Sequence, residues 1–110
     1  MSDYKLLVLS NPTRGEEEQF DRWYGNHLAE LQALSPFLGN AARFRRADGP
    51  GERPSHQHLV IADWHADDLA ASWREHIASI EQATAAGNFT PPPPAFDAAT
   101  AQHWIFAPAE

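Results

Sequence analysis

Hydrophobic and polar positions change rhythm several times along the chain, and each change marks an element. A polar start gives way to Leu6-Leu7-Val8-Leu9, and Asn11-Pro12 closes the run. So short an apolar stretch, bounded by a turn signal, reads as a strand covered on both faces. From Phe20 the spacing is different. Phe20, Trp23, Tyr24, His27, Leu28, Leu31 and Leu34 advance in steps of three and one, which is one face of an amphipathic helix. Thr13-Arg14-Gly15-Glu16 has the form of a capping box before it. Glu16, Glu17 and Glu18 put negative charge in the first turn, where the helix dipole favours it. Ser35-Pro36 predicts the helix end.

Residues 37–47 alternate again, with Ala42, Phe44 and Arg46 opposite Arg43 and Arg45. This predicts a strand, with Gly39-Asn40 as a bulge or turn. A Gly- and Pro-rich loop follows over 48–54. The next strand is expected over about 56–64, with His58, Val60, Ala62 and Trp64 on one face and Leu59, Ile61 and Asp63 on the other. His65-Ala66-Asp67-Asp68 opens a second helix, whose apolar face is Leu69, Trp73, His76, Ile77 and Ile80 and which Gly87-Asn88 ends. Four consecutive prolines make 90–95 an extended surface segment. A last strand is expected over 101–106. The order β-α-β-β-α-β predicts one ferredoxin-like α+β domain over 1–110, a four-stranded antiparallel sheet with both helices on one face. The other face, if apolar, needs a partner, and a homodimer pairing sheet with sheet supplies it.

Composition narrows the function. Eight basic against fifteen acidic residues give a formal charge of −7. That is unfavourable for phosphate backbones and for anionic lipid surfaces, so neither nucleic acid nor membrane is an expected partner. With no cysteine, disulfides, iron–sulfur clusters and thiol catalysis are excluded. No apolar run approaches the ~18–20 residues of a membrane span. The start of the sequence lacks a basic region before a signal-like apolar core, so the expected compartment is the cytoplasm. There is no Gly-rich phosphate loop, dinucleotide fingerprint or GxSxG elbow.

The candidate chemistry lies in four Trp and six His. His27 sits on the apolar stripe of the first helix beside Trp23 and Tyr24. A neutral imidazole there can take a proton from an acidic C–H or phenol and return it, and partial burial keeps it neutral. The alternative is a core histidine bonded to a backbone carbonyl. His58 and His76 lie on the strand and helix faces that would meet a pocket beside His27, and either can serve as a second acid or base. Tyr24 can donate to a developing oxyanion. Arg43 shares a strand face with Arg45 and can hold a carboxylate or phenolate; the pair can equally be a solvated face. Asn11 can donate to a substrate oxygen or simply form the turn. Trp23, Trp64, Trp73 and Trp104 can wall an aromatic pocket; equally, two can fill the core and one or two can sit at a dimer face. His56 and His58, two apart on a strand, have a chelating spacing, with His65 and His103 as further ligands. No fuller metal motif accompanies them, and none is expected.

Asn11-Pro12, Phe20, Trp23-Tyr24, His27, Phe37, Arg43-Phe44-Arg45 and Ala66-Asp67-Asp68 together resemble the dimeric α+β barrel superfamily, near its small EthD-like members. The chain departs from that pattern in three places. Four residues rather than five separate Trp23 from His27, Ala29 stands where a Pro is frequent, and His58 and Ala62 replace tyrosines of the third strand. The resemblance implies a homodimer whose sheets close into one barrel, with a pocket between sheet and helices in each subunit. It implies a cofactor-independent enzyme doing isomerase, cyclase or lyase chemistry on a small hydrophobic carbonyl or aromatic compound. His27 would be the general acid or base, Tyr24, His58 or His76 would assist, Arg43 or Asn11 would hold an oxygen, and tryptophans would shape the pocket. The alternatives are a cofactor-free monooxygenase of a phenolic or polyketide-like substrate, and a non-catalytic dimer binding a ligand or haem, with His76 or His58 as axial ligand.

Overall fold

The computed structural model describes residues 2–109; Met1 and Glu110, both within the expected domain, lie outside the described residues. The elements are β1 (Ser2–Ser10), α1 (Glu17–Leu34), β2 (Leu38–Arg45), β3 (His58–Ala66), α2 (Leu69–Ala85) and β4 (Gln102–Phe106). The four strands form one sheet in the order β2-β3-β1-β4, every pair antiparallel.

Register decides which side chains meet. Opposite Leu6, Val8 and Ser10 of β1 stand Ala62, Val60 and His58 of β3, while Ile105 and His103 of β4 face Leu6 and Val8 from the other side. Both helices cover this one face. Phe20 of α1 packs on His58, and His76 of α2 packs on Trp64. Leu6, Phe20, Tyr24, Val60, Ala62 and Trp64 form the centre of the core. The shortest molecular extent, 21 Å, is about two ~10 Å layers of secondary structure, so the second sheet face is bare. β3 shows the pattern most plainly: its residues alternate buried and half-buried from His58 to Ala66.

The helix boundaries have local causes. Asp68 caps α2 by accepting a hydrogen bond from the Ala71 N–H at 3.0 Å. That replaces one of the unpaired amides of a helix start. β3 runs on to Ala66, so α2 begins four residues later than the sequence reading placed it. The expected capping box before α1 does not form. The Thr13 carbonyl accepts from the Glu16 N–H, but its hydroxyl donates to the Pro94 carbonyl instead, at 2.5 Å. Gly15 makes the turn into α1 at φ +86°, a conformation that costs glycine little. The bulge expected at Gly39-Asn40 is present as a register shift between Leu38 and Ala41.

The proline segment is more than a surface spacer. Phe89 and Ala95 are buried at its two ends. Both Glu30 carboxylate oxygens accept from Thr90, from its amide at 2.9 Å and its hydroxyl at 2.8 Å. At the other end the Thr13 amide donates to Ala95 and Pro12 bridges to Phe96. Proline stiffness between two fixed ends makes a strap rather than a free loop. Among the described residues, no helix is long and apolar enough to cross a membrane.

Candidate active site

Helix periodicity and sheet register bring the sheet, both helices and the proline strap around one cavity of about 400 Å³. Its floor is Leu6, Val8, Val60 and Ala62 of the sheet; α1 supplies Trp23, Tyr24 and His27, and α2 supplies Trp73 and His76. The strap adds Phe89, Pro92 and Phe96, and β4 adds His103. The volume falls within the range of small-molecule sites. Among the described residues, the lining contains no Lys, Arg, Asp or Glu; its polar groups are the Tyr24 hydroxyl, the Trp23 and Trp73 indole N–H groups and the three imidazoles.

Ring packing fixes the imidazoles. His27 stacks on Trp23 with centroids 4.3 Å apart and planes 24° apart. Phe89 approaches it at 5.5 Å and Tyr24 meets it edge-on at 5.7 Å. His76 lies 4.9 Å from Trp64 and 5.5 Å from Trp73. The Nδ1 atoms of His27 and His76 are buried without a hydrogen-bond partner. Each ring's other nitrogen, Nε2, is its second donor or acceptor.

Burial governs the electrostatics. It pushes His27 down to about 4, against the attraction of the nearby Glu30 carboxylate and with added repulsion from His103 and His76. His76 is lowered by burial first and His103 second; partial desolvation also lowers His103, although that residue is exposed on β4. All three are thus neutral imidazoles at physiological pH. The Tyr24 hydroxyl is pushed up by burial, an effect partly offset by Ser10 and by the Arg43 charge.

Of the sequence candidates, the structure brings His27, Tyr24, His76, Trp23 and Trp73 to the cavity. The others lie elsewhere, Trp104 among them: it pairs with Leu7 on the opposite sheet face and is half exposed. His58 packs on Phe20 at 4.6 Å and opens on a separate cleft with Asp21, Arg43 and Arg45. Phe20, fully buried on α1, covers its ring, and His58 does not line the cavity. Arg43 donates to Asp21 Oδ1 at 2.9 Å, and Arg45 donates to Oδ2 at 3.1 Å. The Arg43 guanidinium lies 5.0 Å from the centre of the Tyr24 ring, a cation–π distance. Trp64 is fully buried and donates from Nε1 to Ser72 Oγ at 3.0 Å. Asn11 accepts from the Gln57 amide at 2.8 Å, which holds the β1 turn.

His103, Phe89, Pro92 and Phe96 are cavity residues the site reading left out. His103 and Ile105 alternate on β4, so pairing that strand with β1 would have placed His103 beside Val8. The apolar residues flanking the prolines were the signal for the strap. The other histidines have different uses: His56 Nε2 meets the Thr100 carbonyl at 2.7 Å and His65 Nδ1 meets Asp3 at 2.6 Å. Among the described residues, no three His, Cys, Asp or Glu are grouped to hold a metal ion.

No protein-family model and no curated protein matches the sequence. Solved structures do. SnoaB, a cofactor-independent oxygenase from Streptomyces nogalater, is 15% identical with a TM-score of 0.64, over 100% of this chain and 96% of that one. An Arabidopsis thaliana protein, At3g17210, is 14% identical with a TM-score of 0.67, over 97% and 96%. An EthD-family protein from Bacillus halodurans is 19% identical with a TM-score of 0.59, over 97% and 99%. At these identities the likeness establishes the fold alone: a ferredoxin-like α+β fold that this chain shares with those three structures.

Proposed function

We propose that the chain is a cofactor-independent enzyme that moves a proton on a small hydrophobic carbonyl or aromatic compound. One observation carries the reading: two imidazoles, His27 from α1 and His76 from α2, line the same apolar cavity, each with its Nδ1 buried and unpartnered. Environments that separate the behaviour of paired titratable groups define acid and base roles. His27 is displaced far down, to about 4, which suits a neutral N–H donating to a carbonyl oxygen. His76 is then the base. It takes the proton from carbon α to the carbonyl. The C–H electron pair becomes the enolate double bond, and the charge gathering on oxygen is held by His27. Returning the proton to another position gives the isomer. Tyr24 is the further donor on the same side as His27, while Trp23 and Trp73 hold the ring system.

The bare sheet face supports a homodimer. Phe44, Trp104 and Phe106 are each about half exposed there, and a second copy would cover them.

The test is deuterium exchange into the α position of 2-tetralone in D2O, followed by NMR. The wild-type chain should accelerate exchange, and His27→Ala and His76→Ala should each lose about 10²–10⁴-fold. Unchanged exchange in both variants would overturn the reading. Oxygen uptake with a phenolic compound, without exchange, would replace it by the monooxygenase reading.

A further inference from the structure

The cavity is unusual in what it lacks for its size: with 400 Å³ of space it has no formal charge on its described walls. Two charged groups beside it have partners outside it. Arg43 is paired with Asp21, and both Glu30 oxygens accept from Thr90. We propose that this site selects against anions: it admits two- to three-ring compounds whose uncharged phenol, enol or carbonyl oxygen meets His27 or His76, and it rejects carboxylates and phosphates.

The inference rests on the cavity being the substrate site and deepens that reading. Size follows from comparison with apolar cavities, where about 150 Å³ holds a benzene; 400 Å³ suits a bicyclic or tricyclic ring. Charge selection follows from desolvation. An anion entering these walls loses water and finds no cation on them, while the Glu30 carboxylate lies near enough to act on His27, and that loss outweighs the apolar burial of its ring. A neutral oxygen loses much less, because a neutral imidazole can donate to it or accept from it. The imidazoles are poor substitutes for fixed cations, since charging them is itself opposed by burial.

The experiment compares 1-naphthol, 1-naphthoate and naphthalene by equilibrium dialysis at pH 7 with the full chain. The three share one ring system and differ only at the substituent. 1-Naphthol should bind about 100-fold or more tighter than 1-naphthoate, and several-fold tighter than naphthalene. Equal or tighter binding of 1-naphthoate would overturn the charge rule while leaving the cavity as a site. Equal binding of naphthol and naphthalene would remove the imidazoles from ligand contact and overturn the proposal on that side. Failure of all three to bind would sink the proposal together with the substrate-site reading. Preferential naphthol binding by a chain inactive on 2-tetralone would support selection by charge and refute the enzyme alone.

Discussion

His27 is held neutral by its neighbours: the Trp23 ring stacks on it, Phe89 meets it edge-on, and the Glu30 carboxylate pulls only weakly the other way. This has a consequence for stability. The unfolded histidine titrates near 6.5 and the folded one near 4. Between those values the unfolded chain binds more protons, so acid favours unfolding. The contribution is fully present above about pH 6.5 and is lost as pH falls toward about 4. His58, His76 and His103 shift in the same direction. Urea midpoints measured from pH 7 to pH 4 should therefore fall, and His27→Phe should fall less steeply than wild type because one titrating group is gone. Equal slopes would contradict the burial of a neutral His27. Sequence periodicity was enough to place His27 and His76 on inward faces. It could not separate His58 from them, because all three alternate correctly. The difference lies in Phe20, which reaches across from α1, a contact between residues 38 positions apart in the chain.

At the scale of elements, local signals worked where local chemistry decides. Proline ends α1, Asp68 caps α2, and Gly39-Asn40 bulges β2. They failed where a distant partner took over. Thr13 looks like a cap from its spacing to Glu16, yet its hydroxyl is 2.5 Å from a carbonyl 81 residues away. The strap shows the same effect. Prolines exclude regular structure, which the sequence states directly. That Phe89 and Phe96 turn inward depends on Glu30 and Thr13, which clasp the two ends. The cavity thus has one wall whose position is set by long-range hydrogen bonds, and that wall was not legible. The Arg43 and Arg45 pair shared a face as expected, but Asp21 on α1 satisfies both.

For the whole molecule, two layers enclose the cavity and leave one sheet face open. Leu7, Leu9, Leu59 and Ile61 lie on that face, in register with Trp104, Gln102, Phe44 and Ala42 at its edges. At the far end it carries the Lys5–Asp63 and His65–Asp3 pairs. Apolar centre and charged margin are the makings of an isologous interface. Native mass spectrometry should find twice the 12.2 kDa chain mass. Trp104→Asp, which buries a charge in that interface, should shift the population to monomer. A wild-type monomer at micromolar concentration would contradict the sheet-to-sheet dimer. The central claim is narrower, that His27 and His76 act on one ligand in one cavity. The direct measurement is the imidazole nitrogen NMR spectrum during titration with 2-tetralone. The account expects the Nε2 signals of His27 and His76 to move together along one saturation curve while His58 stays still. Movement of His58 with His27 and His76 unmoved would place the ligand in the other cleft and contradict the site.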